Sequence, residues 1–220
     1  MQVSAEARLW WRSRERDDVE AWFEKLSDLP PGGAPSLNRP SDITENLKRE
    51  DVYLRDPGQA ELGVKLRSAG TASKRLEVKS LVALRGDAAP FGPVTIWVKL
   101  SSPALRLDRA TTVKVHKQRR LRKYGWDGAV LREIALKADE SPRDGDLPEA
   151  GCNVEFTRAT VEGSDEVWWT LGYEAFGSLD EVERVLRGCL LVTVARTPAP
   201  ATNAGEPGSY PEWLMRVLKS

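Results

Sequence analysis

The residues of this chain best able to do chemistry are cations on alternating positions. Lys65 and Arg67 alternate with Val64 and Leu66, Glu77 and Lys79 with Leu76, Val78 and Ser80, and Trp97 and Lys99 with Ile96 and Val98. Strand side chains point to opposite faces in turn, so each segment has one apolar face and one charged face. Guanidinium groups fork onto phosphate oxygens while ammonium groups act as point charges. A mixed lysine and arginine lining therefore suits a phosphate chain better than a single carboxylate. Glu6, Glu77, Glu155 and Glu174 lie on the same kind of face. Carboxylates beside a phosphate chain repel it unless a divalent cation lies between, and Mg²⁺ is commonly held by one or two carboxylates plus phosphate oxygens and water.

Other chemistries drop out. A single histidine, His116, excludes any site that needs two imidazoles, and Cys152 and Cys189 cannot make a zinc cluster by themselves; they read as small buried hydrophobes. No G-x-S-x-G, P-loop or G-x-G-x-x-G string occurs. Lys+Arg 33 against Asp+Glu 33 gives no net pull toward nucleic acid or an anionic membrane. The basic run Arg119 to Lys123 could meet a nucleic-acid backbone, but without an exposed aromatic stripe a nucleic-acid partner is not expected. No apolar run approaches the ~20 residues of a membrane span, and Glu6 and Arg8 interrupt the N-terminal apolar stretch, so a cytoplasmic protein with no membrane partner is expected.

The elements that would position these residues are mostly strands. Alternation predicts strands at 4–12, 51–55, 62–68, 75–84, 93–101 and 111–119, and a hairpin of 152–162 and 166–176 around the turn Glu162-Gly163-Ser164-Asp165. Helices are predicted after Asp17 and Asp18, with a Val19, Trp22, Phe23, Leu26 stripe ending at Leu29-Pro30-Pro31, near 127–138, after the capping box Ser178 to Glu181, and from Tyr210 to Leu218. The stretch to about 44 and the Pro/Ala segment from Arg196 to Gly208 read as loop and linker. Two arrangements fit the pattern. The charged faces could be the solvated outside of an open sheet. Alternatively the strands close into a barrel with helices outside and the cations inside. Enclosed cations repel and lose solvation, so the second arrangement calls for a polyanionic ligand.

Several motifs resemble the CYTH domain, the fold of triphosphate tunnel metalloenzymes. Glu6-Ala7-Arg8 resembles the later part of that family's E-x-E-x-K strand. Asp51-Val52-Tyr53-Leu54, Leu62-Gly63-Val64-Lys65-Leu66-Arg67, the strand around Lys79, Lys117-x-Arg119, Val154-Glu155-Phe156 and Trp168-Trp169-Thr170-Leu171-Gly172-Tyr173-Glu174 follow in the family's order. Ser209-Tyr210-Pro211-Glu212-Trp213-Leu214 resembles its C-terminal helix. The resemblance covers roughly 4–190 and implies an α+β fold, a closed or nearly closed antiparallel β-barrel with flanking helices. It implies a tunnel domain over 1–195, with 196–220 a linker and a helix packing on it. It further implies a triphosphate, polyphosphate or nucleotide ligand held by Arg8, Lys65, Arg67, Lys79, Lys99, Lys117 and Arg119. Glu6, Glu155 and Glu174 would hold Mg²⁺ or Mn²⁺, with Glu6 and Glu174 catalytic in phosphoanhydride hydrolysis. Ser4 and Gly172 stand where the family has glutamates, so a binding module that has lost turnover is the alternative.

Some residues have two readings. Trp10, Trp11, Trp168 and Trp169 read as core and wall aromatics, whereas Trp97, on the face of Lys99, could stack on a base at the tunnel mouth. Glu77 either pairs with Lys79 or Arg67 or binds metal. His116 reads as a strand residue with a local partner. Val113 and Val115 share parity with Lys117, so this strand points in either Lys114 and His116 or, after a bulge, Lys117 and Arg119.

Overall fold

Antiparallel pairing passes from strand to strand until it returns to its start. The computed structural model describes residues 1–12, 17–26, 47–55, 60–69, 71–72, 74–104, 107, 112–128, 130–137, 140–196 and 205–219. Its strands are β1 (Gln2–Arg12), β2 (Leu47–Leu54), β3 (Leu62–Arg67), β4 (Arg75–Asp87), β5 (Pro93–Ser102), β6 (Thr112–Trp126), β7 (Leu131–Ile134), β8 (Gly151–Val161), β9 (Val167–Gly177) and β10 (Glu206–Pro207). Its helices are α1 (Asp17–Lys25), α2 (Val182–Arg196) and α3 (Tyr210–Lys219). Eight strands form a closed ring in the order β1-β5-β4-β3-β2-β6-β8-β9, with β9 pairing back onto β1. β1 closes it by pairing with β5 over Gln2 to Glu6 and with β9 over Val3 to Arg12, while β10 meets its free edge at Leu9 and Trp10. The expected α+β barrel with flanking helices is the fold observed.

Period-2 patterning decides what faces where. Ala5, Ala7, Leu9 and Trp11 of β1 point outward and share one core with Val19, Trp22 and Phe23 of α1 and with Val182, Val185, Leu186 and Cys189 of α2. Removing these apolar faces from water beneath helices is the main favourable term of the wall. A second, smaller core lies inside the ring: Trp10, Tyr53, Val115 and Trp168 meet Trp213 and Leu214 of α3. The four β1 and β9 tryptophans are thus core and wall residues as expected, split between the two cores. Cys152 and Cys189 are free and buried. Among the described residues no helix is long and apolar enough to cross a membrane.

Two expectations are corrected. The segment near 127–138 is not helical: Asp127 Oδ1 accepts from Val130 N (2.9 Å), Gly128 sits at φ 99°, and Leu131 to Ile134 pairs with Lys123 to Trp126 of β6. The apolar spacing of Val130, Leu131, Ile134 and Leu136 suits one helical face, but the Gly128 turn returns the chain beside β6 and edge pairing wins. β6 itself runs through the basic stretch to Trp126, and β2 starts at Leu47 rather than at 51. The loop and linker expectations over 27–44 and 197–204, with the helix stop at Pro30 and Pro31, lie outside the described residues.

Candidate functional site: a cationic lumen

The inward faces of the ring enclose a cavity of about 80 Å³ whose lining carries eight cationic side chains and four carboxylates. β1 contributes Glu6 and Arg8, β3 Lys65 and Arg67, β4 Glu77 and Lys79, β5 Lys99, β6 Lys117 and Arg119, β8 Glu155 and β9 Glu174. The structure therefore brings all ten candidate site residues together. It adds Arg49 and Tyr53 of β2 and Tyr210 at the start of α3, none of which had been singled out for the site.

Register resolves the β6 question without a bulge. The pairing of β6 with β2 and β8 is unbroken from Val115 to Arg119, so Val115, Lys117 and Arg119 all face inward. Val115 belongs to the inner apolar core, and the strand passes from that core into the charged lumen. His116 faces out, with Nδ1 3.7 Å from Glu50.

The carboxylates divide the cations among themselves. Asp51, fully buried on β2, accepts from Lys117 Nζ (3.1 Å), Lys65 Nζ (3.3 Å) and Ser68 N (3.2 Å), and Arg49 Nε lies 3.0 Å away. Burial alone would raise its carboxyl; Lys65, Lys117 and Arg49 outweigh burial and hold it well below the usual range. Glu155 lies between Arg8 (3.0 Å) and Arg119 (3.0 Å) and also accepts from Tyr210 Oη (3.3 Å). Glu77 meets Lys65 (3.5 Å), Arg67 (3.4 Å) and Arg75 (3.3 Å), which overcome its burial and bring it to about 2. Of its two expected readings this is the pairing one, met through Arg67 and not Lys79. Glu6 pairs with Lys79 and accepts from Ser4 Oγ (3.1 Å). Glu174 lies 3.8 Å from Lys99, and Lys99 and Lys79 offset its burial and hold it at about 2.

Burial sets the titration of three of the lining cations, whereas the carboxylates beside Arg8 and Arg49 raise those two. Burial pushes Lys117 well below its ordinary value and lowers Lys65, with Asp51 opposing the shift in each. Arg119 is lowered by burial and by the neighbouring Arg49. Each of these groups would gain from an added anion.

Gly172 stands in register with both Arg8 and Glu155. A Cβ built there would lie 2.4 Å from Arg8 Cζ, so the guanidinium fills the space any side chain at 172 would need. Arg8 thus pairs with Glu155 across the missing side chain. Cations hold the carboxylates from which a Mg²⁺ or Mn²⁺ site would be built. Both Glu155 oxygens are held by guanidinium groups, Glu6 and Glu174 each face an ammonium group, and among the described residues no group of three or more His, Cys, Asp or Glu is gathered to hold a metal ion.

α3 closes the other end of the lumen. Trp213 stacks on Trp10 with centroids 4.4 Å apart and planes 2° off parallel, and Trp10 Nε1 donates to Gly208 O (2.8 Å). The Tyr210 ring lies 3.6 Å from Lys117 Nζ and 4.6 Å from Arg8 Cζ, so α3 meets two cations of the charged lumen through cation–π contacts. Trp97 is not a free stacking platform at the mouth: it is 1% exposed and Lys79 Nζ lies 5.0 Å from its ring centre.

The missed residues differ in how they could have been found. Arg49, Asp51 and Tyr53 alternate with Glu50 and Val52; Asp51 and Tyr53 lie within the strand expected from 51, and an earlier start adds Arg49 on the same face. Tyr210 carries no comparable signal, because α3 reaches the lumen by tertiary packing alone. No protein-family model and no curated protein matches this chain, so its functional reading rests on this lumen.

Proposed function

We propose that the barrel binds the triphosphate or polyphosphate part of a small ligand in its lumen and does so without a resident metal. The observation that carries this reading is that eight lining cations outnumber the six carboxylates that pair with them, the four of the lining together with Asp51 and Glu140. Paired buried charges can come near to breaking even, but surplus ones carry a desolvation cost that an entering anion offsets. Lysine and arginine together offer point charges and planar forks, which a chain of phosphates with several oxygens can use at once. The resemblance to CYTH proteins points to the same ligand class. The Arg8 guanidinium in the space beside Gly172 favours binding over hydrolysis, since it neutralises the carboxylate a metal would need.

The test is a thermal melt with tripolyphosphate or ATP, with and without Mg²⁺. A ligand at a hundredfold excess over its Kd stabilises the fold by about 2.7 kcal/mol, a rise of roughly 5–10 °C for a domain of this size. Lys65→Ala and Arg67→Ala should each remove most of that rise. An unchanged midpoint at millimolar ligand would sink the reading. Rapid Mg²⁺- or Mn²⁺-dependent phosphate release, lost in Glu174→Gln, would show an enzyme instead of a binder.

A further inference from the structure

The carboxylates that pair with lumen cations stand on barrel strands: Glu6, Asp51, Glu77, Glu155 and Glu174. Among the described residues Glu140 differs, because it reaches the lumen arginines from the segment between β7 and β8. The arginines it meets are divided in the same way. Arg67 Nη1 donates to Glu77 on the wall (3.4 Å) and Arg119 Nη1 to Glu155 on the wall (3.0 Å). Their second amino groups, Arg67 Nη2 (3.4 Å) and Arg119 Nη2, both turn to the Glu140 carboxylate. Two guanidinium arms converging on one pair of oxygens is the geometry that also receives two oxygens of a phosphate.

Glu140 is placed to leave. It lines the wider bowl of about 710 Å³ outside the lumen and not the inner cavity, whereas Arg67 lines both. Its backbone sits at φ 68°, a left-handed conformation that residues other than glycine adopt at a cost. Its N–H bonds Lys137 O (3.0 Å) within a loop tied by Lys137 N to Ser141 O (2.8 Å) and Arg143 N to Ala135 O (2.8 Å). No strand pairing of the ring depends on its side chain. The wall carboxylates have no such freedom.

Resting on the reading of the lumen as a phosphate-chain site, we propose that Glu140 is an exchangeable stand-in for the outermost phosphate. In the free protein it fills the Arg67–Arg119 fork; a ligand long enough to reach the fork expels it. Glu140 then sets a length-dependent threshold, because a short ligand fills the inner lumen without disturbing it while a longer one must displace it.

The experiment is calorimetric titration of wild type, Glu140→Gln and Glu140→Ala with pyrophosphate and with tripolyphosphate. Both variants should bind tripolyphosphate about tenfold more tightly, the scale of one charge-assisted contact no longer displaced, and pyrophosphate within about twofold of wild type. An equal gain for both ligands would reveal only a general charge effect and overturn the proposal, as would no gain or a loss. If wild type binds tripolyphosphate and the variants show no selective gain, this proposal alone fails. If neither wild type nor variants bind it, the phosphate-chain reading fails and takes this one with it. Ligand-free melts of both variants establish that they are folded.

Discussion

The two halves of the lumen are built from the same strands and differ in what those strands turn inward. On β6 the inward residues pass from Val115 to Lys117 and Arg119; on β1 from Trp10 to Arg8 and Glu6; on β9 from Trp168 to Glu174. One half is a dry aromatic plug finished by Trp213, the other a charged cavity. Strand parity decides only whether a residue points in. Position along the strand decides whether it supplies stability or a site, and the plug makes the charged half a blind pocket at the α3 end. Burial of large rings is favourable without a partner, whereas the charged half holds together through pairing and keeps a surplus that ligand must offset.

This division can be broken from either side. The largest effect is expected from Trp168→Ala in the plug, which should lower unfolding free energy by about 3–5 kcal/mol in urea titrations. The Kd for tripolyphosphate should hardly move; a large loss of affinity with little loss of stability would show that the halves are not separate. Asp51→Asn comes next. It leaves Lys65, Lys117 and Arg49 without their shared carboxylate and should cost about 3 kcal/mol, part of which tripolyphosphate should restore.

A smaller and graded effect is expected from acid. Glu77 titrates at about 2 in the folded protein against an ordinary 4.5, so the unfolded chain takes up its proton first. The stability it contributes is complete above pH 4.5 and is lost as pH falls from 4.5 toward 2. Urea midpoints measured across that range should fall, and Glu77→Gln should flatten the slope. The smallest effect is reserved for the outer surface: His116→Ala should change stability by about 0.5 kcal/mol or less and leave tripolyphosphate binding as it was.

Much of the barrel is legible in the sequence because inward charged residues and outward apolar ones alternate on β3 and on β4 up to Lys79, ahead of its register shifts, and the hairpin of β8 and β9 carries its own turn. The candidate residues converge because each lies on such a strand. What was not legible depends on partners distant in the chain. The β6 parity conflict arises from assuming one kind of lining, and it dissolves once Val115 has Trp213 to pack with. Leu131 to Ile134 is too short for periodicity to separate a strand from a helical turn. Glu140 enters through a loop whose return to Arg67 and Arg119 no local pattern encodes.

The double use of β1 has a consequence for the order of assembly. Its residues 2–12 are synthesised before the other strands of the ring, yet their longest pairing is with 167–177, and the ring cannot close before those residues exist. At roughly 5–20 residues per second the ribosome needs on the order of 8–33 s to make the intervening chain. During that interval β1 can pair only with β5, and the edge that will meet β9 stays open. Closure of sequence-distant strands is slow in itself, so the N-terminal strand is the segment a nascent-chain chaperone has most reason to hold.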